Sequence, residues 1–172
     1  YPDRYWPEVR EATAKYKFEP RFFHALIREE STFNAEVVSW AGAIGLSQVM
    51  PPTAKDVAKG LGIPYDKARL VEPAYNLSLG ASYLDEVLGR FGGSPYLALA
   101  AYNAGPHRVH TWTKRYGVIP TDEFVELIPF KETRGYVKRV MGSWQLMAWE
   151  FDSSVPLPDL SRYNHKHLRS TD

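Results

Sequence analysis

The stretch from Phe22 to Met50, FFHALIREESTFNAEVVSWAGAIGLSQVM, decides how the chain is read. It opens as an apolar helix on Phe22, Phe23, Ala25, Leu26 and Ile27 and ends in two acids, Glu29 and Glu30. Pro20 suits a first helical turn, so the helix is expected over Pro20–Ser31, with Arg21, His24 and Arg28 on its polar face. At about 100° per residue, Glu30 projects about 35° from the centre of the apolar stripe and Glu29 about 65°, which makes Glu30 the more inward acid. Ser31-Thr32-Phe33-Asn34 then turns the chain. Beyond it Val38, Trp40, Leu46 and Val49 hold no helical spacing, and Gly42 and Gly45 give backbone freedom. Residues 34–50 are therefore expected to form a loop with a short hairpin, carrying Gln48 and Met50.

Outward from this stretch the pattern stays helical. Tyr5, Val9, Ala12 and Tyr16 form one stripe before it. After it, Pro51-Pro52-Thr53 opens a helix that stops at Gly60 and Gly62, and 63–73 reads as irregular. Asn76 to Phe91 is a helix with Leu77, Leu79, Ala81, Leu84, Val87 and Leu88 on its buried side, ended by Gly92-Gly93. Ser94-Pro95 caps a helix running to about Ala101. A helix over 108–116 follows Gly105-Pro106, Asp122 is expected to cap 123–128, and the last helix spans Thr133 to Phe151. From Ser153 the chain turns Pro- and Ser-containing and then basic. The expectation is a mainly α domain over 1–152 and an extended basic C-terminal tail over 153–172. The lack of alternating strands and helices rules against parallel-sheet nucleotide-binding folds. Gly42-Ala43-Ile44-Gly45 matches neither a phosphate loop nor a dinucleotide fingerprint.

Composition narrows the functions. A chain of 172 residues, 44% hydrophobic, has the size and core of one domain. No apolar run reaches the roughly eighteen residues of a membrane span, and no basic-then-apolar signal segment stands at Tyr1. The start without Met reads as a mature or trimmed fragment and leaves open whether an N-terminal domain was removed. Lys+Arg 21 against Asp+Glu 20 argues against nucleic acid as a partner. The absence of cysteine excludes disulfides and thiolate metal sites and leaves the compartment undecided. Aromatics at 14% serve either core packing or the lining of a groove.

Glu30 leads the chemistry. A carboxyl on an apolar helix face beside a cleft loses hydration, which disfavours its charged form. A protonated Glu near neutral pH is what acid-catalysed cleavage of a glycosidic bond requires. The alternative is that Glu30 and Glu29 sit near a helix end and pair with Arg28 or another surface cation. A second carboxylate is not evident: Glu36 and Asp56 lack clear placement, and Glu126 would have to fold in from afar. Substrate assistance is the known alternative. No cysteine nucleophile, serine elbow or HExxH exists, and His165 and His167 read as solvated, so no metal and no cofactor is expected. In Tyr102-Asn103-Ala104-Gly105, Gly105 could simply cap a helix with Tyr102 in the core. Alternatively the Tyr102 hydroxyl and the Asn103 amide orient a sugar.

Three ordered motifs then carry a resemblance. They are Glu30-Ser31-x-Phe33-Asn34, Ser39-x-Ala41-Gly42-Ala43-x-Gly45-Leu46-x-Gln48-x-Met50-Pro51-x-Thr53-Ala54, and Ala101-Tyr102-Asn103-Ala104-Gly105. Together they resemble the soluble lytic transglycosylase family, whose catalytic domain is lysozyme-like. Phe124-Val125-Glu126-x-Ile128-Pro129-Phe130-x-Glu132-Thr133-Arg134-Gly135-Tyr136-Val137 is similar to the C-terminal motif of its large periplasmic soluble subfamily. The resemblance implies a mainly α, lysozyme-like fold with a short loop or hairpin region at the cleft. It implies Glu30 as the sole catalytic acid and then base. It further implies Ser39, Gln48, Met50, Tyr102, Asn103 and Glu126 as residues lining the glycan groove, with Gly42 and Gly45 keeping the loop close to the sugars. The implied reaction cleaves the β-1,4 bond between N-acetylmuramic acid and N-acetylglucosamine in peptidoglycan without water, leaving 1,6-anhydromuramic ends. A monomer acting on glycan strands in a bacterial periplasm or envelope follows. A lysozyme-type hydrolase and a non-catalytic peptidoglycan-binding module are the rivals. The long helical N-terminal domains of the large members have no counterpart in these residues, and the tail after Phe151 matches nothing in the family pattern.

Overall fold

Prolines open six of the eight helices among the described residues, at N1 or N2, where a missing N–H leaves nothing unsatisfied. The computed structural model describes residues 3–151, apart from the side chains of 150 and 151. The tail expected over 153–172 lies outside the described residues. The order is α1 (Trp6–Thr13), α2 (Pro20–Ser31), α3 (Pro51–Leu61), a 3-10 turn (Ala68–Val71), α4 (Pro73–Arg90), α5 (Pro95–Ala104), α6 (Pro106–Tyr116), α7 (Thr121–Leu127) and α8 (Lys131–Phe151). No strand occurs among the described residues. The expected hairpin survives as two isolated bridges, Val38 with Ile44 and Ile44 with Val49. The chain divides into two compact units, Tyr1–Asp85 and Glu86–Asp172.

In the first unit α1 lies on α2. Arg21 pairs with Asp3 at 2.8 Å and covers the Trp6 ring at 3.6 Å. Trp6 meets His24 edge-on at 5.5 Å, and Phe33 closes the other side at 4.8 Å. This corrects the polar face expected for α2, because His24 is 1% exposed. The expectation treated α2 as having one buried side, whereas α1 and the Phe33 turn cover a second. His24 Nε2 donates to the Arg4 carbonyl at 2.8 Å. Its Nδ1 is therefore the unprotonated nitrogen, buried without a hydrogen-bond partner. Burial pushes the His24 pKa below its usual value, with Arg21 acting in the same sense, against the Arg4 carbonyl and Asp3. A second cluster joins the loop to α3 and α4 through Ile44, Val49, Ala54, Val57, Leu70, Tyr75 and Leu79.

In the second unit α5 packs on α6 and α8, and α7 on α8. Leu97, Leu99, Val109, Phe124, Val137 and Val140 are buried there. Ser94 caps α5 as expected, accepting from Leu97 N–H. The helix then runs to Ala104, further than expected, and Gly105 ends it at φ 94° with its N–H on the Ala101 carbonyl at 2.8 Å. Asp122 is not a cap. Pro120 occupies that position, and Asp122 lies in the first turn, where a negative charge complements the helix dipole.

Candidate functional site

Glu30 sits half-buried in the last turn of α2. What fixes it is the way the helix ends. Thr32 and Phe33 take left-handed conformations, φ 51° and 61°, although neither is Gly or Asn. Thr32 N–H reaches the Arg28 carbonyl at 3.0 Å, and Asn34 N–H reaches Ser31 at 3.0 Å. Phe33, 5% exposed, anchors the reversal in the core. Backbone held in sparsely populated regions persists only where surrounding packing imposes it, and such residues gather at functional sites. Gln48, at φ 46°, and Tyr5, at φ 57° before α1, are the other two non-Gly residues at positive φ among the described residues. Glu29 pairs with Arg28 at 2.6 Å.

The loop after α2 is closed by its own hydrogen bonds. Ser39 donates its N–H to the Ala43 carbonyl at 2.9 Å, accepts Gly42 N–H on its own carbonyl at 2.9 Å, and accepts Ala43 N–H on Oγ at 3.0 Å. Gln48 spends its amide nitrogen on the loop, donating to Val37 at 3.1 Å and Gly45 at 2.9 Å. Among the described residues nothing donates to its Oε1. Met50 is the N-cap residue of α3, and its side chain is exposed.

Beneath the loop lies a buried polar staple that the motif reading missed. Asn76, 1% exposed, accepts from Ser47 N–H at 2.8 Å and Ser47 Oγ at 2.7 Å on Oδ1. Its Nδ2 donates to the Ile44 carbonyl at 2.9 Å and the Leu70 carbonyl at 2.8 Å. One amide thus ties the loop to the 3-10 turn and to α4. Gly45 and Gly80 are the small residues that admit it. A Cβ on Gly45 would lie 2.3 Å from the Leu70 carbonyl oxygen and 2.4 Å from Asn76 Nδ2. A Cβ on Gly80 would lie 2.3 Å from Ser47 Oγ. Gly42, by contrast, meets nothing within 4 Å.

The second unit carries the other candidates. Tyr102 and Asn103 are half-buried in the last turn of α5, so neither is a core residue. Asn103 Oδ1 accepts from the Thr133 hydroxyl at 2.7 Å. Glu126 is exposed on α7 and pairs with Lys138 of α8 at 2.5 Å, while its carbonyl accepts from Arg134 Nη1 at 2.8 Å. Among the described residues no group of three or more His, Asp or Glu side chains could hold a metal ion. No helix among them is long and apolar enough to cross a membrane.

The pattern of the Transglycosylase SLT domain family matches residues 7–125. The chain belongs to this family. The match contains Glu30, Ser39, Gln48, Met50, Tyr102 and Asn103 and stops one residue short of Glu126. A soluble lytic murein transglycosylase of Salmonella typhimurium is 48% identical over 120 residues, covering 68% of this chain and 19% of the relative. The Escherichia coli K12 protein of the same name is 47% identical over an equal span, again covering 68% of this chain and 19% of the relative. Among solved structures, an inactive Glu-to-Gln mutant of lytic transglycosylase Slt from Pseudomonas aeruginosa is similar at a TM-score of 0.88 and 34% identity, covering 95% of this chain and 27% of that one. The 70 kDa soluble lytic transglycosylase of Escherichia coli is similar at 0.86 and 38%, covering 92% and 26%. The SLT domain here therefore has the mainly α, lysozyme-like fold expected from the sequence. It spans about a fifth of the length of the soluble relatives named.

Proposed function

We propose that this chain is the catalytic part of a peptidoglycan lytic transglycosylase, with residues 1–152 as its working domain and Glu30 as general acid and then general base. The SLT-domain match across residues 7–125 carries this reading, because it holds Glu30 together with the loop that ends in Gln48 and Met50. The relatives named above are murein transglycosylases, and the inactive Glu-to-Gln mutant among the similar structures supports dependence on a single Glu.

In this reading Glu30 donates its proton to the oxygen bridging N-acetylmuramic acid and N-acetylglucosamine as the bond from that oxygen to muramic C1 breaks. The acetamido oxygen of the muramic residue attacks C1 and supplies the group that a second carboxylate would otherwise provide. Glu30, now a carboxylate, accepts the proton of the C6 hydroxyl as that oxygen attacks C1 and displaces the acetamido oxygen. The acid is regenerated, no water is consumed, and a 1,6-anhydro ring closes. Ser39 Oγ–H and the Gln48 Oε1 acceptor hold sugar polar groups, Met50 gives apolar contact, and Tyr102, Asn103 and Glu126 bind the strand. The protein acts as a monomer on glycan strands in a bacterial periplasm or cell envelope. The test replaces Glu30 with Gln: release of soluble muropeptides from sacculi should fall by about 10²–10⁴-fold or more while binding to sacculi persists. Release within tenfold of wild type would refute the role.

A further inference from the structure

We infer that Thr133 is a positioning residue for Asn103, holding its side-chain amide in place to meet the glycan. The inference rests on the function proposed above. Thr133 is the third residue of α8 and is 2% exposed. A hydroxyl buried that far needs a partner, and a helical Thr ordinarily finds one in the carbonyl a turn earlier. This one instead donates across to Asn103 Oδ1 at 2.7 Å, thirty residues away in sequence. The bond occupies the acceptor end of the amide. Among the described residues nothing accepts from Asn103 Nδ2, and the side chain is half-buried rather than sealed. An amide offers an acceptor at one end and two N–H donors at the other. With its acceptor held by Thr133, Asn103 presents donors outward, suited to a hydroxyl or acetamido oxygen of a sugar.

The start of α8 holds a second candidate in the same way. Arg134 Nη1 fixes the Glu126 carbonyl at 2.8 Å, and Lys138 holds its carboxylate. The start of α8 thus holds groups on α5 and α7 through Thr133, Arg134 and Lys138.

The test uses Thr133→Val, which keeps the shape and removes the hydroxyl, and Thr133→Ser, which keeps the hydroxyl. Each is made in wild type and in Asn103→Ala. Two quantities are read: affinity for a soluble N-acetylglucosamine oligomer by calorimetry, and kcat and KM for release of anhydro-ended muropeptides. Thr133→Val should weaken affinity and raise KM by about tenfold, the scale of one oriented hydrogen bond, with kcat within about twofold. Thr133→Ser should recover most of the loss, and Thr133→Val should add less than twofold in the Asn103→Ala background. An unchanged affinity in Thr133→Val, or an equal loss when Asn103 is already Ala, would overturn the inference. A wild-type chain that binds the oligomer yet forms no anhydro ends would refute the proposed reaction, and Thr133 would still be judged by affinity.

Discussion

Replacing Asn76 with Ala should be among the most damaging single changes in the first unit, because Asn76 is 1% exposed and its side chain is fully engaged under the loop. Four side-chain hydrogen bonds of 2.7–2.9 Å vanish together. At about 1 kcal/mol net for each bond, the loss is about 4 kcal/mol. The Ile44 and Leu70 carbonyls lose the Asn76 amide in residues that are 0–7% exposed, which raises the cost. The Ser47 hydroxyl also reaches the Asn76 carbonyl at 3.2 Å, a bond the substitution leaves in place. Against a total of about 5–15 kcal/mol for a typical domain, such a loss is large, and in the folded fraction it should loosen the loop that carries Gln48. Asn76→Asp should be no milder despite its shape, because it turns a carboxylate on two carbonyl oxygens. Urea unfolding checks both variants. Glu86→Ala is the control, since it breaks an exposed ion pair with Arg90 and should cost less than about 1 kcal/mol. A cost for Asn76→Ala no greater than the control would show that the staple does not hold the loop.

The same staple separates two glycines of one motif. Gly45→Ala forces a Cβ to within 2.3 Å of a backbone oxygen at φ 81° and should cost at least about 2 kcal/mol in chemical unfolding. Gly42→Ala, in open space at φ 88°, carries only the backbone penalty of about 1–2 kcal/mol. His24 gives a pH signature. Its folded pKa lies below the ordinary 6.5, so the unfolded chain binds the extra proton first. The stability held by neutral His24 is therefore complete above about pH 6.5 and drains as pH falls toward the lowered value. His24→Leu should lose stability at pH 7, through the missing bond to Arg4, yet fall less steeply than wild type between pH 7 and pH 5 in urea titrations.

Much of the helical framework is legible in the sequence because its signals are local. Pro20, the apolar run and the turn after Ser31 fix α2, and Ser94-Pro95 fixes the start of α5. Features set by distant partners are not. His24 reads as polar-face because its cover comes from α1, and Ser47 and Asn76 are 29 residues apart with nothing in either neighbourhood to announce a bond. The extra turn of α5 was missed because that helix is buried on nearly all sides and shows little periodicity. Thr32 and Phe33 give no sign of positive φ, which Gly or Asn would have signalled. For the candidate site, helix geometry alone only leaned toward Glu30 over Glu29. The ordered motifs singled out Glu30, while Glu29 pairs with Arg28.

The most direct test of the central claim is digestion of purified sacculi in water enriched in heavy oxygen, with mass spectrometry of the soluble sugars, using wild type and Glu30→Gln. The account predicts muramic ends lighter by one water than hydrolysed ends, free of heavy oxygen, and lost in Glu30→Gln. Reducing muramic ends that carry heavy oxygen, or anhydro ends still formed in quantity by Glu30→Gln, would contradict it.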